Sequence, residues 1–302
     1  MIFKIFTSLL IPFVAFSSNC SHASGKYLEW NIITQKDTFY PGEPILLLIQ
    51  IKNIGTKDEI INFGRDGIEA FSVRIMDADG SVIRKGSRVI REGLSRQGSL
   101  SVPAGQMAQK GIVVNQWCST LLPTGGYYVI CDVDYRLRSE SRKQKDSEIF
   151  TAGPIHNLQL HTEIQLLEID REKFEKILRT LFDFEHKHER QTQSEWITQR
   201  EIAREMITFS ESAMAVPYQL KILRVEQYTW RKRDLINSLV KSETVEATWG
   251  LIKIFEDSKV RKADIEDALI EAVYQLREAK NVEILNASND FVSKYSRPVI
   301  SR

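Results

Sequence analysis

Hydrophobic residues change their rhythm once along this chain. Up to the mid-160s they recur at every second position, and from Asp170 onward at every third or fourth. Successive side chains of a strand point to opposite faces, whereas a helix returns to the same face after three or four residues. The pattern therefore predicts strands first and helices afterwards. The clearest alternation sets Tyr127, Val129, Cys131, Val133 and Tyr135 against Tyr128, Ile130, Asp132, Asp134 and Arg136. One set suits a core and the other reaches water at its charged members, so this stretch is read as the central strand. Further strands are predicted over 27–34, 45–53, 70–76, 81–84, 99–102, 107–114 and about 156–167. The turn residues Pro41-Gly42-Glu43-Pro44, Asp77-Ala78-Asp79-Gly80 and Pro103-Ala104-Gly105 separate several of them. Residues 53–58 read as a loop, 85–97 as a long basic surface loop and 139–146 as a charged hairpin.

The second half opens with Phe174, Ile177, Leu178 and Leu181 on one helical face. Asp170 is placed to cap that helix, since its carboxylate can accept an orphan backbone N–H. Ser194 is read as the cap of a helix carrying Trp196, Ile202, Ala203 and Met206. Another helix starts near Pro217, a residue suited to a first turn. Four more are predicted over 230–239, 245–255, 265–276 and 282–295. Ala215, Leu220, Lys221, Ile222 and Leu223 are echoed 32 residues later by Ala247, Ile252, Lys253, Ile254 and Phe255. A repeat at that interval points to stacked helix pairs.

Three motifs carry a resemblance. Tyr40-Pro-Gly-Glu-Pro44, Val102-Pro-Ala-Gly-Gln106 and Leu122-Pro-Thr-Gly-Gly-Tyr127 each precede a predicted strand. In that order they resemble the bacterial immunoglobulin-like domains of exported proteins. The resemblance covers residues 26–167 and implies an antiparallel β-sandwich with Tyr127 as its corner tyrosine, the hydroxyl bonded to nearby backbone. Residues 168–302 resemble an all-α HEAT-like solenoid, the stretch Ala215-Val-Pro-Tyr-Gln-Leu220 being similar to the first helix of such repeats; a compact helical bundle is the competing arrangement. The fold class implied is multidomain, β followed by α.

The amino terminus adds a compartment. Lys4, the short apolar run 5–16 and the small residues Ser21 and Ala23 read as a signal peptide over 1–23, cut between Ala23 and Ser24. A run of that length falls short of the ~20 residues a membrane-spanning helix needs, and no later stretch approaches it. The expected location is periplasmic or extracellular. Cys20, just after the apolar run, is a candidate lipidation site, although Ser17-Ser18-Asn19 fits that pattern poorly. After the cut Cys118 and Cys131 remain. An exported pair suggests a disulfide, and two small buried thiols are the other reading.

Charge and motifs narrow the function. The chain has 41 basic and 40 acidic residues, and losing the first 23 leaves 40 of each. That balance offers no bulk attraction to nucleic acid or to an anionic membrane. No serine elbow or phosphate loop occurs. The segment Asp183-Phe-Glu-His-Lys-His-Glu189 has metal-ligand residue types, but His186 and His188 fall on opposite sides of a helix. His156 and His161 face opposite ways on a strand, and Cys131 has no basic neighbour to activate it. Trp230-Arg-Lys-Arg233 reads as a helix start with Trp230 inward and its charges in water. Catalytic, cofactor and metal residues are therefore expected to be none. The expected role is a non-catalytic binding or scaffolding protein of the cell envelope that holds a protein partner. The alternatives are an accessory or inhibitor module for an extracellular hydrolase and an enzyme with a dispersed site between the domains.

Overall fold

The computed structural model describes residues 22–24, 27–65, 67–84, 97–137, 155–186, 194–257 and 263–295. The apolar run, Cys20, His188, nearly all of the 85–97 loop and the 139–146 hairpin lie outside the described residues. The fold is mixed, with sheets before the mid-160s and helices after. The chain divides into two compact units. The first runs to Glu168, and the second takes Ile169 onward together with Gly42–Pro44 from an early turn.

Among the described residues the first unit contains two sheets. One has the order β1 (His22–Ser24), β2 (Leu28–Thr34), β4 (Leu46–Asn53) and β9 (Met107–Val113), antiparallel throughout. The other runs β3 (Thr38–Phe39), β11 (His156–Leu166), β10 (Gly125–Leu137), β5 (Glu59–Arg65) and β8 (Gln97–Val102). Two more strands, β6 (Phe71–Met76) and β7 (Val82–Arg84), extend it, because β6 pairs with both β10 and β7. Only β3 and β11 are parallel among the described pairs. The strand β10 is the centre. Its full length to Tyr135 pairs with β11, while its other edge is divided between β6 over Tyr128–Val133 and β5 at Arg136 and Leu137.

Both sheets feed one core. Inward residues of β2 and β4 (Trp30, Ile32, Ile49, Ile51) meet those of β5, β6, β10 and β11 (Phe63, Val73, Val129, Leu160), all essentially buried. Trp30 lies 4.6 Å from the Tyr135 ring and 6.4 Å from Phe63, edge-on to the latter. Aromatic pairs at such separations add about 0.5–1.5 kcal/mol beyond the area they bury.

The strand β5 is not among those the alternation predicts. Asn62 and Gly64 interrupt its pattern. Here they form a kink inside a strand: Asn62 Oδ1 accepts the Gly64 N–H at 2.8 Å, Gly64 has φ 76°, and the register against β8 shifts at this point. A bulge of this kind favours glycine because side chains resist the left-handed region. Buried Asn53 closes the following loop, donating from Nδ2 to the carbonyls of Lys57 and Val102, both at 2.8 Å, and accepting from Gly55 N–H.

The second unit holds α1 (Arg171–His186), α2 (Ser194–Thr208), α3 (Val216–Val225), α4 (Thr229–Lys241), α5 (Val245–Glu256), α6 (Ala263–Gln275) and α7 (Val282–Tyr295). Each packs on the next and, from α2 onward, on the one after that. Thus α3, α5 and α7 form one row, and α2, α4 and α6 another. Among the described residues no helix is long and apolar enough to cross a membrane. Within the first row α3 and α5 approach closely at Gly250, where an added Cβ would stand 2.5 Å from the Leu220 methyls. Gly250→Ala is expected to destabilise the protein despite the better helix propensity of alanine, which is worth about 1 kcal/mol. Denaturant unfolding of Gly250→Ala in a Leu220→Ala background should show that cost largely removed.

Asp170 caps α1 as its position predicts. Its Oδ1 accepts the Lys173 N–H at 3.1 Å and its Oδ2 pairs with the Lys173 ammonium at 2.9 Å. The hydrogen bond from the Lys173 side chain, aided by the backbone bond, holds the carboxyl below the ordinary aspartate range. A folded-state pKa below the unfolded one contributes stability above the unfolded pKa and loses it as pH falls through the folded value. Asp170→Ala should therefore lower the unfolding midpoint at about pH 7, and its cost should shrink as pH falls through the carboxylate range, which unfolding midpoints measured across an acid pH series check.

Candidate functional site

Arg204 of α2 stands between two carboxylates that come from other helices. Its Nε donates to Glu185 Oε1 at 2.8 Å, and its Nη2 bonds the same oxygen. Its Nη1 donates to Glu226 Oε2 at 2.8 Å. Glu185 is in the last turn of α1, and Glu226 directly follows α3. Both are buried, and Arg204 is largely so. Arg200, one turn earlier on α2, donates from Nε to the Glu185 backbone carbonyl at 2.6 Å. His186 brings Nδ1 to 2.6 Å from Glu185 Oε2 and 3.0 Å from the Phe182 carbonyl. Both neighbours are acceptors, so that nitrogen carries the proton.

Glu226 uses its other oxygen on the main chain. Oε1 accepts the N–H groups of Gln227 at 2.8 Å and Tyr228 at 3.0 Å. The short connection from α3 to α4 is thereby tied to a buried ion pair. Every oxygen of the two carboxylates has a donor, which suits them to hold structure rather than to move protons. What they hold is an apolar surface. Val225 is 66% exposed and Tyr228 58%. Tyr228 and Trp230 have ring centroids 6.5 Å apart, and the Arg231 guanidinium lies 5.1 Å and 4.8 Å from them. Arg231 also pairs with Glu201 at 2.9 Å. Tyr, Trp and Arg are the residues that most often anchor protein interfaces, being large and amphipathic with few rotors to freeze.

The register of α4 corrects one expectation. Lys232, rather than Trp230, is the residue turned inward: it shares a face with Leu235, Ile236 and Leu239 and is 2% exposed. Trp230 is half-buried at the rim, and Arg233 is exposed. The helical spacing of Lys232 from the three apolar residues decides this, since Trp230 falls off their stripe.

The remaining candidates are dispersed. The Tyr127 hydroxyl donates to the Pro123 carbonyl at 2.9 Å, and burial pushes its pKa up. Cys118 and Cys131 are both buried, and no disulfide joins them. Ala70 accepts from Asp134 N–H, so Val73, three residues on, is a non-hydrogen-bonded partner of Cys131 and its carbonyl points away from β10. Cys118 Sγ donates to that carbonyl at 3.1 Å. The β6 backbone thus stands between the two sulfurs. Burial, with Asp132 beside it, raises the Cys131 pKa strongly, which opposes thiolate formation. His156 stacks on Tyr135, while His161 lies on the outer face of β11. Among the described residues no group of three or more His, Cys, Asp or Glu is placed to hold a metal ion.

Arg204 and Glu226 carried no signal in the sequence. Arg204 reaches Glu185 across 19 positions and Glu226 across 22, and no local spacing rule connects residues so far apart. Removing one member of a buried ion pair strands the other, at a cost of about 3–5 kcal/mol. Arg204→Ala should lose that much in denaturant unfolding, whereas Tyr228→Ala on the exposed side should stay within about 0.5 kcal/mol of the parent.

No family model matches the chain, and no curated protein matches it. Among solved structures it is similar to Spo0M, the sporulation control protein of Bacillus subtilis, with 16% identity and a TM-score of 0.24. That alignment covers 51% of this chain and 54% of the other, so the chain spans about half the length of the structure it matches. A likeness of that size bears on neither the fold nor the function of this chain.

Proposed function

We propose that this chain is an exported, non-catalytic binding or scaffolding protein of the cell envelope that holds a protein partner. In this reading the first unit is an immunoglobulin-like β-sandwich and the second a HEAT-like array. Two sheets around one core, with the Tyr127 hydroxyl bonded to backbone four residues upstream, support the first. Two rows of helices, each helix from α2 to α5 touching the one two places along, support the second, because repeat arrays are built from nearest-neighbour stacking.

The observation that carries the binding role is the α3–α4 connection. A buried Glu226–Arg204–Glu185 network fixes its backbone while Val225 and Tyr228 remain in water. An apolar surface already held in one conformation loses little entropy when a partner covers it. Export is proposed from the sequence. The cut at Ala23–Ser24 falls inside β1, whose residues pair with Glu29, Trp30 and Asn31, so the mature chain would keep only Ser24 of that strand.

The test is an affinity capture from envelope extract of the source cells with the full exported chain and with a Val225→Asp, Tyr228→Ala variant. A protein retained by the parent and lost with the variant is the expected result. Identical capture by both would remove this surface from the function, and no capture by the parent would remove the binding role. Intact-mass measurement of the exported form should give a chain beginning at Ser24 without added lipid.

A further inference from the structure

A polar cleft of about 560 Å³ opens between α6, the short turn Leu276–Glu278 and α7. It lies apart from the α3–α4 connection, and nothing in the binding role proposed above uses it. Its walls are Glu271, Tyr274, Arg277, Glu278, Leu285 and Asn289, with Gln275 beside them. The volume falls within the ~300–1,000 Å³ of small-molecule sites, but the lining is far more polar than an apolar ligand would need.

Arg277 is oriented. Its Nε donates to Asn289 Oδ1 at 2.9 Å, and its guanidinium lies 5.8 Å from the centre of the Tyr274 ring. Among the described residues it forms no ion pair, although two carboxylates line the same cleft. Its planar fork is therefore aimed while the Nη groups remain available to a ligand. Tyr274 is 39% exposed and offers ring surface to the cleft, and Leu285 adds an apolar wall.

The charges choose among ligand classes. A simple anion would meet Arg277 but also Glu271 and Glu278. A simple cation would meet the guanidinium. A neutral ligand that both donates and accepts hydrogen bonds, and that has one apolar face, satisfies all of them. We propose that this cleft binds a neutral oligosaccharide. Vicinal hydroxyls donate to Glu271 or Glu278 and accept from Arg277, and the C–H face of a pyranose ring lies on Tyr274.

Titration calorimetry of the full exported chain with chitotetraose, cellotetraose and maltotetraose tests this, with inorganic phosphate as the anionic control. Saturable binding of at least one sugar is expected, weakened about ten-fold by Tyr274→Ala. Arg277→Lys should weaken it by a similar factor, since an ammonium cannot keep both the Asn289 bond and a two-point contact with hydroxyls. Both side chains are exposed, so both variants should fold, and their thermal melts check that they do. Absence of saturable binding with all three sugars would overturn the proposal. So would unchanged sugar affinity in either variant, or binding of phosphate alone that Arg277→Lys abolishes.

Discussion

A single guanidinium organises the start of the helical unit. Arg204 has its donors divided between Glu185 and Glu226, and each of those carboxylates has a second duty, one toward His186 and the other toward two backbone amides. Burying charge is costly unless every charge is paired and every lone pair is met. Here the pairing is complete, so the ends of α1 and α3 and the middle of α2 are fixed with respect to one another by geometry that a nonpolar contact would leave loose. Planarity matters as much as charge, because one lysine could not address two carboxylates on different sides.

The sheets depend on a different constraint. The strand β10 is long enough to serve β11 along one edge and both β6 and β5 along the other. Its inward residues Val129, Cys131 and Val133 are fully buried, while Asp132 on the outer face ties Arg74 of β6 and Gln159 of β11, each at 2.7 Å. A slip of one residue would exchange those two faces and place the aspartate in the core. The register is therefore specified from both sides of the sheet. The same division of labour runs through the helical unit, where buried polar groups fix the backbone and the surface it presents can stay apolar at Val225 and Tyr228 without collapsing inward.

The alternation at 127–136 and the helical stripe at Phe174, Leu178 and Leu181 were legible because each is a local periodic pattern that follows from backbone geometry. So was the cap at Asp170, whose side chain reaches only its own first turn. The strand β5 was not legible for a related reason. A bulge at Asn62 and Gly64 breaks its alternation, and only the partner strand reveals it. Trp230 and Lys232 differ in the same way: residue type suggested which one goes inside, and the helix phase set by Leu235, Ile236 and Leu239 decided it.

The sequence alone determined where strands give way to helices, since side-chain periodicity is a property of neighbours along the chain. It also determined the even charge balance, which is a matter of composition. Tertiary structure decided which polar residues meet. Glu185, Arg204 and Glu226 become one network, Arg277 is aimed by Asn289 twelve positions away, and the β6 backbone comes to lie between Cys118 and Cys131. Those outcomes depend on distances between segments remote in sequence, and no periodicity encodes such distances.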